Sequence, residues 1–283
     1  MDKATQEEVA RIENRTASLA SKDGTTIQYR ALGKGPGLVI LAGSMQTSRD
    51  YLLLAAQLTD RFTLYIPDRR GRGGSGPQGA DYTLQKECED AIRLLDLTQS
   101  SFLFGHSYGG LIALNVARQY PLSRLAVYDA PVSINNSLPR EWIPQYEREV
   151  ARKDYAGAMV TLIYGLQLGG KMSFIPSFVF RWLMRRVLDA DELAELGQIM
   201  PTVPPEAQQG ALYDSDGSEY AAIGATSLLM IGGESPAYFP KAASILEKMI
   251  PAARQQVYAG LDHGTPNTAP EKIAPAIGAF FGN

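Results

Sequence analysis

Short, wholly apolar runs alternate with segments of helical periodicity along most of this chain of 283 residues. Runs such as GLVILAG at 37–43 contain no polar side chain, which is typical of strands buried on both faces. The runs predict strands at 37–43, 62–68, 102–106, 125–131, 227–233 and 254–260, and the periodic segments predict helices at 49–59, 82–97, 108–119, 240–249 and about 270–281. Strands that alternate with helices in this way indicate a parallel sheet with helices on both faces.

Two regions depart from this alternation. Near the start, residues 16–21 and 25–30 have the character of strands on either side of Asp23-Gly24, a turn pair typical of a β-hairpin. The hairpin brings the predicted, mostly parallel sheet to eight strands. Between 132 and 224 the strand pattern stops, and the sequence is helical in character and interrupted by prolines. We therefore expect a core formed by residues 1–131 and 225–283, with a helical lid inserted at 132–224.

Composition and charge narrow the classes of partner. A net charge of −3 gives no reason to expect nucleic acid or an anionic membrane. Cys88 is the single cysteine and cannot form an intramolecular disulfide, which fits a reducing compartment. The first fifteen residues are too charged for a secretory signal, and no apolar run reaches the ~20 residues needed to span a bilayer. We expect a cytoplasmic protein that acts on a small molecule, as a monomer or homodimer.

The stretch GHSYGG at 105–110 contains the first candidate for catalysis. Ser107 lies between small residues, after an apolar run and before a helical segment, which is the context that a Gly-x-Ser-x-Gly nucleophile requires. A sharp turn exposes the serine, and the start of the next helix directs amides and its positive dipole end toward a developing oxyanion. The alternative is a glycine-rich turn without chemistry. Because both flanking elements are predicted, we favour Ser107 as a nucleophile.

A serine nucleophile needs a base, and the chain contains two histidines. His106 adjoins Ser107, so its side chain is expected to point away from the serine and to have a structural role. His263 lies in a loop after the last predicted strand, and we favour it as the base. No cluster of cysteine and histidine indicates a metal site, and no cofactor is predicted.

Three motifs together resemble the α/β-hydrolase fold superfamily, in its lidded esterase- and haloperoxidase-like branch. They are GHSYGG, the stretch PDRRGRGGSG at 67–76, which is similar to the superfamily's Asp-x-Arg-Gly-x-Gly-x-Ser turn, and GLDHGTP near the end. The resemblance covers residues from about 16 to 281 outside the lid, and the chain order of nucleophile, acid and histidine matches. It implies an α/β-hydrolase fold in which Asp68 and Arg69 hold a turn.

The resemblance leaves two candidates for the acid of a catalytic triad. Many relatives have an aspartate after the seventh strand, but alignment on Gly232 places Ser235 there, with Glu234 one residue earlier. Another subset has the acid after the sixth strand, where this chain has Asp129. Both carboxylates follow strands, so both start at the edge of the sheet where ligands bind. We favour Asp129, whose short side chain suits holding an imidazole, and keep Glu234 as the alternative.

The resemblance also implies an oxyanion hole, and the residues of the lid suggest a substrate chamber beside it. The backbone amide of Ser44, in LAGSMQ after the third strand, and the amide of Tyr108 are the expected donors to the oxyanion. Met45 is a candidate lining residue beside them, with core packing as its alternative. The aromatic residues of the lid together suggest an apolar substrate chamber, with packing against the core as the alternative for each of them singly. The selected candidates are Trp142, Tyr146 and Phe178.

These expectations together describe a serine hydrolase without a metal or cofactor. Ser107 would attack the carbonyl of an ester, thioester, lactone or amide of a small apolar acyl substrate, and His263 would accept its proton. Asp129 or Glu234 would orient His263. Alternatives within the same fold are a lyase, a cyclase, an acyltransferase or a carbon–carbon bond hydrolase. A catalytically silent ligand-binding protein is the alternative outside enzymes, and the unusual acid position is its only support.

Overall fold

Eight strands form one sheet in the computed structural model, which describes residues 14–170 and 174–282. The strands are β1 (Asn14–Ala20), β2 (Thr26–Gly33), β3 (Gly37–Leu41), β4 (Thr63–Pro67), β5 (Phe102–His106), β6 (Arg124–Tyr128), β7 (Thr226–Gly232) and β8 (Ala253–Tyr258). Their order across the sheet is β1-β2-β4-β3-β5-β6-β7-β8. The hairpin β1–β2 is antiparallel and β2 pairs antiparallel with β4, whereas the remaining pairs are parallel. The predicted eight-stranded, mostly parallel sheet is therefore confirmed.

Helices cover both faces of this sheet. The α-helices of the described residues are α1 (Leu52–Ala56), α2 (Leu84–Thr98), α3 (Tyr108–Ala117), α4 (Ile143–Ala151), α5 (Tyr155–Gly165), α6 (Ser177–Val187), α7 (Ala190–Ile199), α8 (Val203–Leu212), α9 (Tyr238–Met249), α10 (Thr265–Thr268) and α11 (Ala274–Gly282). Successive strand residues point to opposite faces, so Val39 and Leu41 join a buried cluster with α2, α3 and α9. Leu38 and Ile40 join a second cluster with α1 and α11. This two-sided burial explains why the strands are apolar throughout.

Two segments predicted as single helices are each divided. The segment at 49–59 contains a 3₁₀ turn at Ser48–Tyr51 followed by the short α1, because Thr47 caps the turn and its amide donates to Asp50 at 2.7 Å. The final segment begins as a 3₁₀ turn at Pro270–Lys272, and α11 starts at Ala274. Pro275 follows directly and lacks the amide that a continuous helix from 270 would require, so it is tolerated only in a first turn.

Five of the helices, α4 to α8, lie between β6 and β7 and form an inserted cap. They share an apolar cluster of their own, which includes Trp142, Tyr146 and Met200. The two ends of the insertion run side by side, since the amide of Asn135 donates to the carbonyl of Ser215 at 3.0 Å. The cap therefore leaves and rejoins the core at one place, a few residues beyond the carboxyl end of β6.

The described helices include none that is long and apolar enough to cross a membrane. The expectation about a secretory signal falls on residues 1–13, which lie outside the described residues.

Candidate active site

Ser107 lies in the turn between β5 and α3, in a backbone conformation that few serines adopt. Its φ of 51° and ψ of −127° place it in a strained region of backbone space. A Cβ at Gly105 would lie 2.4 Å from the carbonyl oxygen of Gly109, and a Cβ at Gly109 would lie 2.2 Å from that of Leu41. Close backbone approach therefore requires glycine on both sides of the serine. The Ser107 amide donates to the carbonyl of Tyr128 at 2.9 Å, which fixes the turn against β6.

His263 reaches Ser107 from the loop between β8 and α10. Its Nε2 lies 3.1 Å from Ser107 Oγ, and Phe239 of α9 stacks on the imidazole with the two planes 12° apart. His106, at the end of β5, holds this loop by a hydrogen bond to its backbone. Its Nε2 donates to the backbone carbonyl of His263 at 2.9 Å, because a carbonyl oxygen only accepts. Burial, together with the nearby His263 imidazole, lowers the pKa of His106 well below its usual value, which favours the neutral imidazole. The contacts of His106 with the loop of His263 are those of a structural residue.

Asp129 is the carboxylate that meets His263. Its Oδ2 lies 3.1 Å from His263 Nδ1, and its carboxylate also accepts from the Gly232 amide at 3.1 Å and the Ser235 hydroxyl at 2.6 Å. Asp129 directly follows β6, is fully buried and has a φ of 46°, a left-handed conformation that aspartate tolerates better than most residues. The Glu234 side chain is exposed and makes no hydrogen bond to His263 among the described residues. The structure thus brings Asp129, and not Glu234, to the imidazole.

Two backbone amides beside Ser107 are available as donors. Ser44 and Tyr108 line the same cavity as Ser107, and neither amide has an acceptor within the described parts of the chain. Tyr108 is the first residue of α3, where helix amides are unpaired by geometry. A Cβ at Gly43 would lie 3.0 Å from Ser107 Cβ, so glycine at 43 lets the loop that carries Ser44 pass close to the nucleophile. The two expected oxyanion donors are therefore neighbours of Ser107.

A cavity of about 360 Å³ opens on Ser107 and His263 between the core and the cap. Met45 and Trp142, two of the candidate lining residues, are among the residues that line it. Most of the other lining side chains are aliphatic or aromatic; they include Leu111, Met159, Leu162, Leu166, Val203 and Tyr238. Within residues 14–170 and 174–282, no group of three or more His, Cys, Asp or Glu side chains is arranged to hold a metal ion.

Two predicted lining residues do not reach this cavity. Tyr146 is buried in the apolar cluster of the cap, where its hydroxyl donates to the carbonyl of Met200 at 3.1 Å. Phe178 lies on the outer face of α6 with 73% of its surface exposed, whereas Phe180 is the buried residue of that helix. The predictions for Tyr146 and Phe178 are corrected accordingly: one packs the cap, and the other is a surface residue.

Glu206 of the cap helix α8 places a carboxylate in the cavity wall, and no motif in the sequence selects it. It is buried, and it accepts hydrogen bonds from the guanidinium groups of Arg69 and Arg72 and, at 2.6 Å, from the hydroxyl of Ser44. Burial opposes ionisation of Glu206, but the two arginines outweigh it and hold its pKa below the ordinary value. The only feature of the sequence that points to a buried carboxylate here is the density of arginine at 69–72, which requires partners of opposite charge.

The sequence profile of the alpha/beta hydrolase family matches residues 38–276. The chain belongs to the α/β hydrolase family. The solved structure of an alpha/beta hydrolase from Sphaerobacter thermophilus DSM 20745 superimposes on this α/β hydrolase with a TM-score of 0.77 and 27% identity. The match covers 94% of this chain and 100% of that structure. The superfamily and the fold predicted from the sequence are thus confirmed.

More distant structures share the fold of this α/β hydrolase. The naproxen esterase (carboxylesterase NP) from Bacillus subtilis has a TM-score of 0.72 at 16% identity, covering 98% of this chain and 96% of the esterase. The enol-lactonase from Burkholderia xenovorans LB400 has a TM-score of 0.70 at 19% identity, covering 94% and 100%. Among curated proteins, an uncharacterized protein of Mycobacterium tuberculosis is 32% identical over 96 residues, which span 33% of this chain and only 28% of the relative's length.

Proposed function

We propose that this α/β hydrolase is a serine hydrolase that cleaves an ester, thioester, lactone or amide of a small apolar substrate through an acyl-enzyme. The observation that carries the proposal is the continuous hydrogen-bonded chain from Ser107 Oγ through His263 to Asp129, with both distances 3.1 Å. In this order of groups the imidazole can take the serine proton during attack, and the carboxylate can stabilise the imidazolium that forms.

The proposed reaction has two halves. Ser107 Oγ attacks the carbonyl carbon while His263 Nε2 accepts the hydroxyl proton, and the amides of Ser44 and Tyr108 donate to the oxyanion. The tetrahedral intermediate collapses when the protonated imidazole gives its proton to the leaving group. Water then attacks the acyl-enzyme with His263 as base, which releases the carboxylic acid and restores Ser107. Loss of one oxyanion donor in such a site costs about 3–4 kcal/mol of transition-state stabilisation.

The cavity supports an apolar substrate. Its volume of about 360 Å³ lies at the lower end of the range for small-ligand pockets, roughly 300–1,000 Å³, and its lining is mostly apolar. Its two charged lining residues are both accompanied by opposite charges: Glu206 bonds to two arginines, and Arg140 lies 4.0 Å from Asp214. Neither presents an uncompensated charge to a substrate, which favours an uncharged acyl group. The names of an esterase and a lactonase among the structural neighbours are in keeping with such substrates.

A fluorophosphonate probe tests the proposal directly, because it forms a covalent adduct only with an activated serine. We expect one adduct on the wild type, mapped to Ser107 by peptide mass spectrometry, and none on Ser107→Ala. Ser107→Ala should also lose the hydrolysis of p-nitrophenyl butyrate that the wild type shows. A Ser107→Ala protein that retains full esterase activity would contradict the proposal. A wild type that labels but hydrolyses none of a panel of esters, thioesters, lactones and amides would favour an acyltransferase or another non-hydrolytic reaction.

The acid is assigned by a matched pair of variants in the same assay. Asp129→Asn removes the carboxylate that contacts His263, so kcat is expected to fall by roughly three to four orders of magnitude. Glu234→Gln changes an exposed carboxylate nearby and should leave kcat within about twofold. The reverse pattern would transfer the role to Glu234, and unchanged rates in both would exclude a triad with a carboxylate.

A further inference from the structure

The loop after β4 places a buried arginine behind the oxyanion donor. Arg72 is 2% exposed and does not line the cavity. Its Nη1 donates to the carbonyl oxygen of Gly43 at 3.2 Å, and its Nη2 donates to Thr202 Oγ1 at 2.8 Å and to Glu206. In the turn motif Asp-x-Arg-Gly-x-Gly-x-Ser, Arg72 occupies a position where any residue is allowed, so the turn itself does not require it.

The contact with Gly43 determines the direction of the Ser44 amide. The carbonyl of Gly43 and the N–H of Ser44 belong to one peptide unit, which is planar and trans, so the two groups point in opposite directions. A guanidinium on the carbonyl side therefore turns the N–H to the other side of the peptide. A hydrogen bond to the carbonyl from a charged donor also polarises the peptide and strengthens the N–H as a donor.

The cap holds this arginine in place. Glu206 of α8 compensates the buried charge of Arg72, and Thr202, just before α8, accepts from the same guanidinium nitrogen. Glu206 also accepts a hydrogen bond from the hydroxyl of Ser44 at 2.6 Å. The cap therefore contacts the loop that carries Ser44 both directly and through Arg72. A buried guanidinium without its carboxylate would be costly, so this arrangement depends on the cap being docked.

We propose that Arg72 is a positioning residue that orients the Gly43–Ser44 peptide toward the oxyanion, and that Glu206 and Thr202 of the cap hold Arg72 in that position. The inference rests on the proposed function, because it names the residues that orient one of the two oxyanion donors in that mechanism. It makes the oxyanion hole a joint product of the core, which supplies the amide, and the cap, which fixes its direction.

The test compares Arg72 with Arg70 as a matched control. Arg70 lies in the same loop, is as deeply buried, and pairs with Asp90 and Asp23 instead of groups at the cavity. R72K and R70K each keep the positive charge and lose the planar fork that bonds several acceptors at once. Steady-state kinetics with p-nitrophenyl butyrate gives kcat and KM for each variant, and thermal unfolding gives Tm.

We expect R72K to lower kcat by about tenfold or more, since complete loss of one oxyanion donor costs about 10²–10³-fold. KM should stay within about threefold, because the peptide acts on the transition state rather than on the bound substrate. R70K should keep kcat within about twofold at a similar loss of Tm. R72M, which has neither charge nor donor, should lower kcat further; if it does not fold, R72K decides the question.

Three negative results are distinguishable. If R72K and R70K both keep the wild-type kcat while the wild type labels at Ser107 and hydrolyses the ester, the inference about Arg72 is overturned and the proposed function stands. If the wild type neither labels nor hydrolyses any ester, the proposed function and the inference fail together. A fall of kcat in R70K as large as that in R72K would also overturn the inference, because it would show a general effect of loop stability.

Discussion

Ser235 donates its hydroxyl hydrogen to Oδ2 of Asp129 at 2.6 Å, and the same oxygen lies 3.1 Å from His263 Nδ1. Ser235 follows β7, at the position where the resemblance in sequence leads one to expect an acid, whereas Asp129 follows β6. The two strands are paired in register, and neighbouring strands lie about 5 Å apart, so side chains just beyond either end can reach one point. The carboxylate and its hydrogen-bonding serine thus share one location beside His263.

His106 gives the stability of the folded chain a dependence on pH. Its pKa in the folded state is depressed by burial and by His263, whereas an unfolded histidine titrates near its usual value of 6.5. As the pH falls below 6.5, the unfolded chain binds a proton that the folded state resists, so stability decreases. We expect wild-type Tm to fall more between pH 7.5 and 5.5 than the Tm of His106→Gln, which keeps a donor for the His263 carbonyl but does not titrate.

Thermal unfolding followed by circular dichroism at both pH values measures the difference. His106→Gln is expected to be less stable than the wild type at pH 7.5, because the amide does not fill the space of the imidazole between Tyr51, Tyr128 and His263. The informative quantity is therefore the change between the two pH values in each protein. An equal change in both would show that other groups cause the acid sensitivity.

At the residue scale, a sequence is informative where a motif dictates the residue and uninformative where packing alone decides. The turn around Ser107 and the loop position of His263 can be derived from neighbouring residues, and the structure brings the two together at 3.1 Å. Trp142, Tyr146 and Phe178 are aromatic residues of similar helical segments. Only the packing of α4 and α6 decides that the first lines the cavity, the second packs inside the cap and the third is exposed.

At the scale of elements, the apolar runs define the strands well because burial on both faces leaves few polar positions. Predicted and observed strands agree to within three residues at each end, as for 125–131 and β6 (Arg124–Tyr128). Short helices are harder, because a helix of five residues such as α1 offers too little periodicity to set its bounds. The four-residue α10, next to His263, is not predicted for the same reason.

The contact between α3 and β3 depends on the small size of Gly109. A Cβ at 109 would lie 2.2 Å from the carbonyl oxygen of Leu41 and 2.6 Å from that of Ala42, and both are backbone atoms that cannot rotate away. We expect Gly109→Ala to lower the free energy of unfolding by about 3 kcal/mol or more and Tm by at least about 5 °C. Ester hydrolysis should fall with it, because α3 carries the Tyr108 amide.

Gly110→Ala is the control for that prediction. It adds the same methyl group to the same helix and gains the same helix propensity, but its clash is milder: the Cβ would lie 2.9 Å from Ala130 Cβ and 3.2 Å from the nearest backbone atoms, Ala130 Cα and the carbonyl oxygen of Gly105. A smaller fall of Tm is expected for this variant. Equal falls in both variants would show that the helix tolerates no added methyl group on either side, independent of its approach to β3.

At the scale of the whole molecule, the cap and the core meet through groups that are far apart in sequence. Glu206 lies 137 residues from Arg69 and 134 from Arg72, and these side chains form one buried ionic cluster with Glu87, which lies 3.5 Å from Arg69. Local patterns reveal an inserted helical segment but not which of its residues enters the core. A buried charge is stable only when its partners are in place, so Glu206 can be assigned only once the cap is docked.

Gly210 of α8 tests whether the cavity between the cap and the core holds the acyl group. It lines the cavity, and a Cβ there would meet only Leu111 Cδ2, at the ordinary contact distance of 3.8 Å. Gly210→Leu should therefore be accommodated and should extend into the space of about 360 Å³. We expect kcat/KM for p-nitrophenyl octanoate to fall by about tenfold or more, equivalent to about 1.4 kcal/mol, while that for the acetate changes less than threefold.

Gln208→Leu separates occupation of the cavity from a general effect on the helix. It places the same side chain on the exposed face of α8, two residues away, and should leave the ratio of octanoate to acetate rates unchanged. Gly210→Ala should raise Tm, since glycine inside a helix costs about 1 kcal/mol relative to alanine, and should reduce the octanoate rate only slightly. If Gly210→Leu lowers the rates for both esters equally, the acyl chain does not lie along α8. The part of the cavity lined by Trp142 and Met159 would then be the place to look for it.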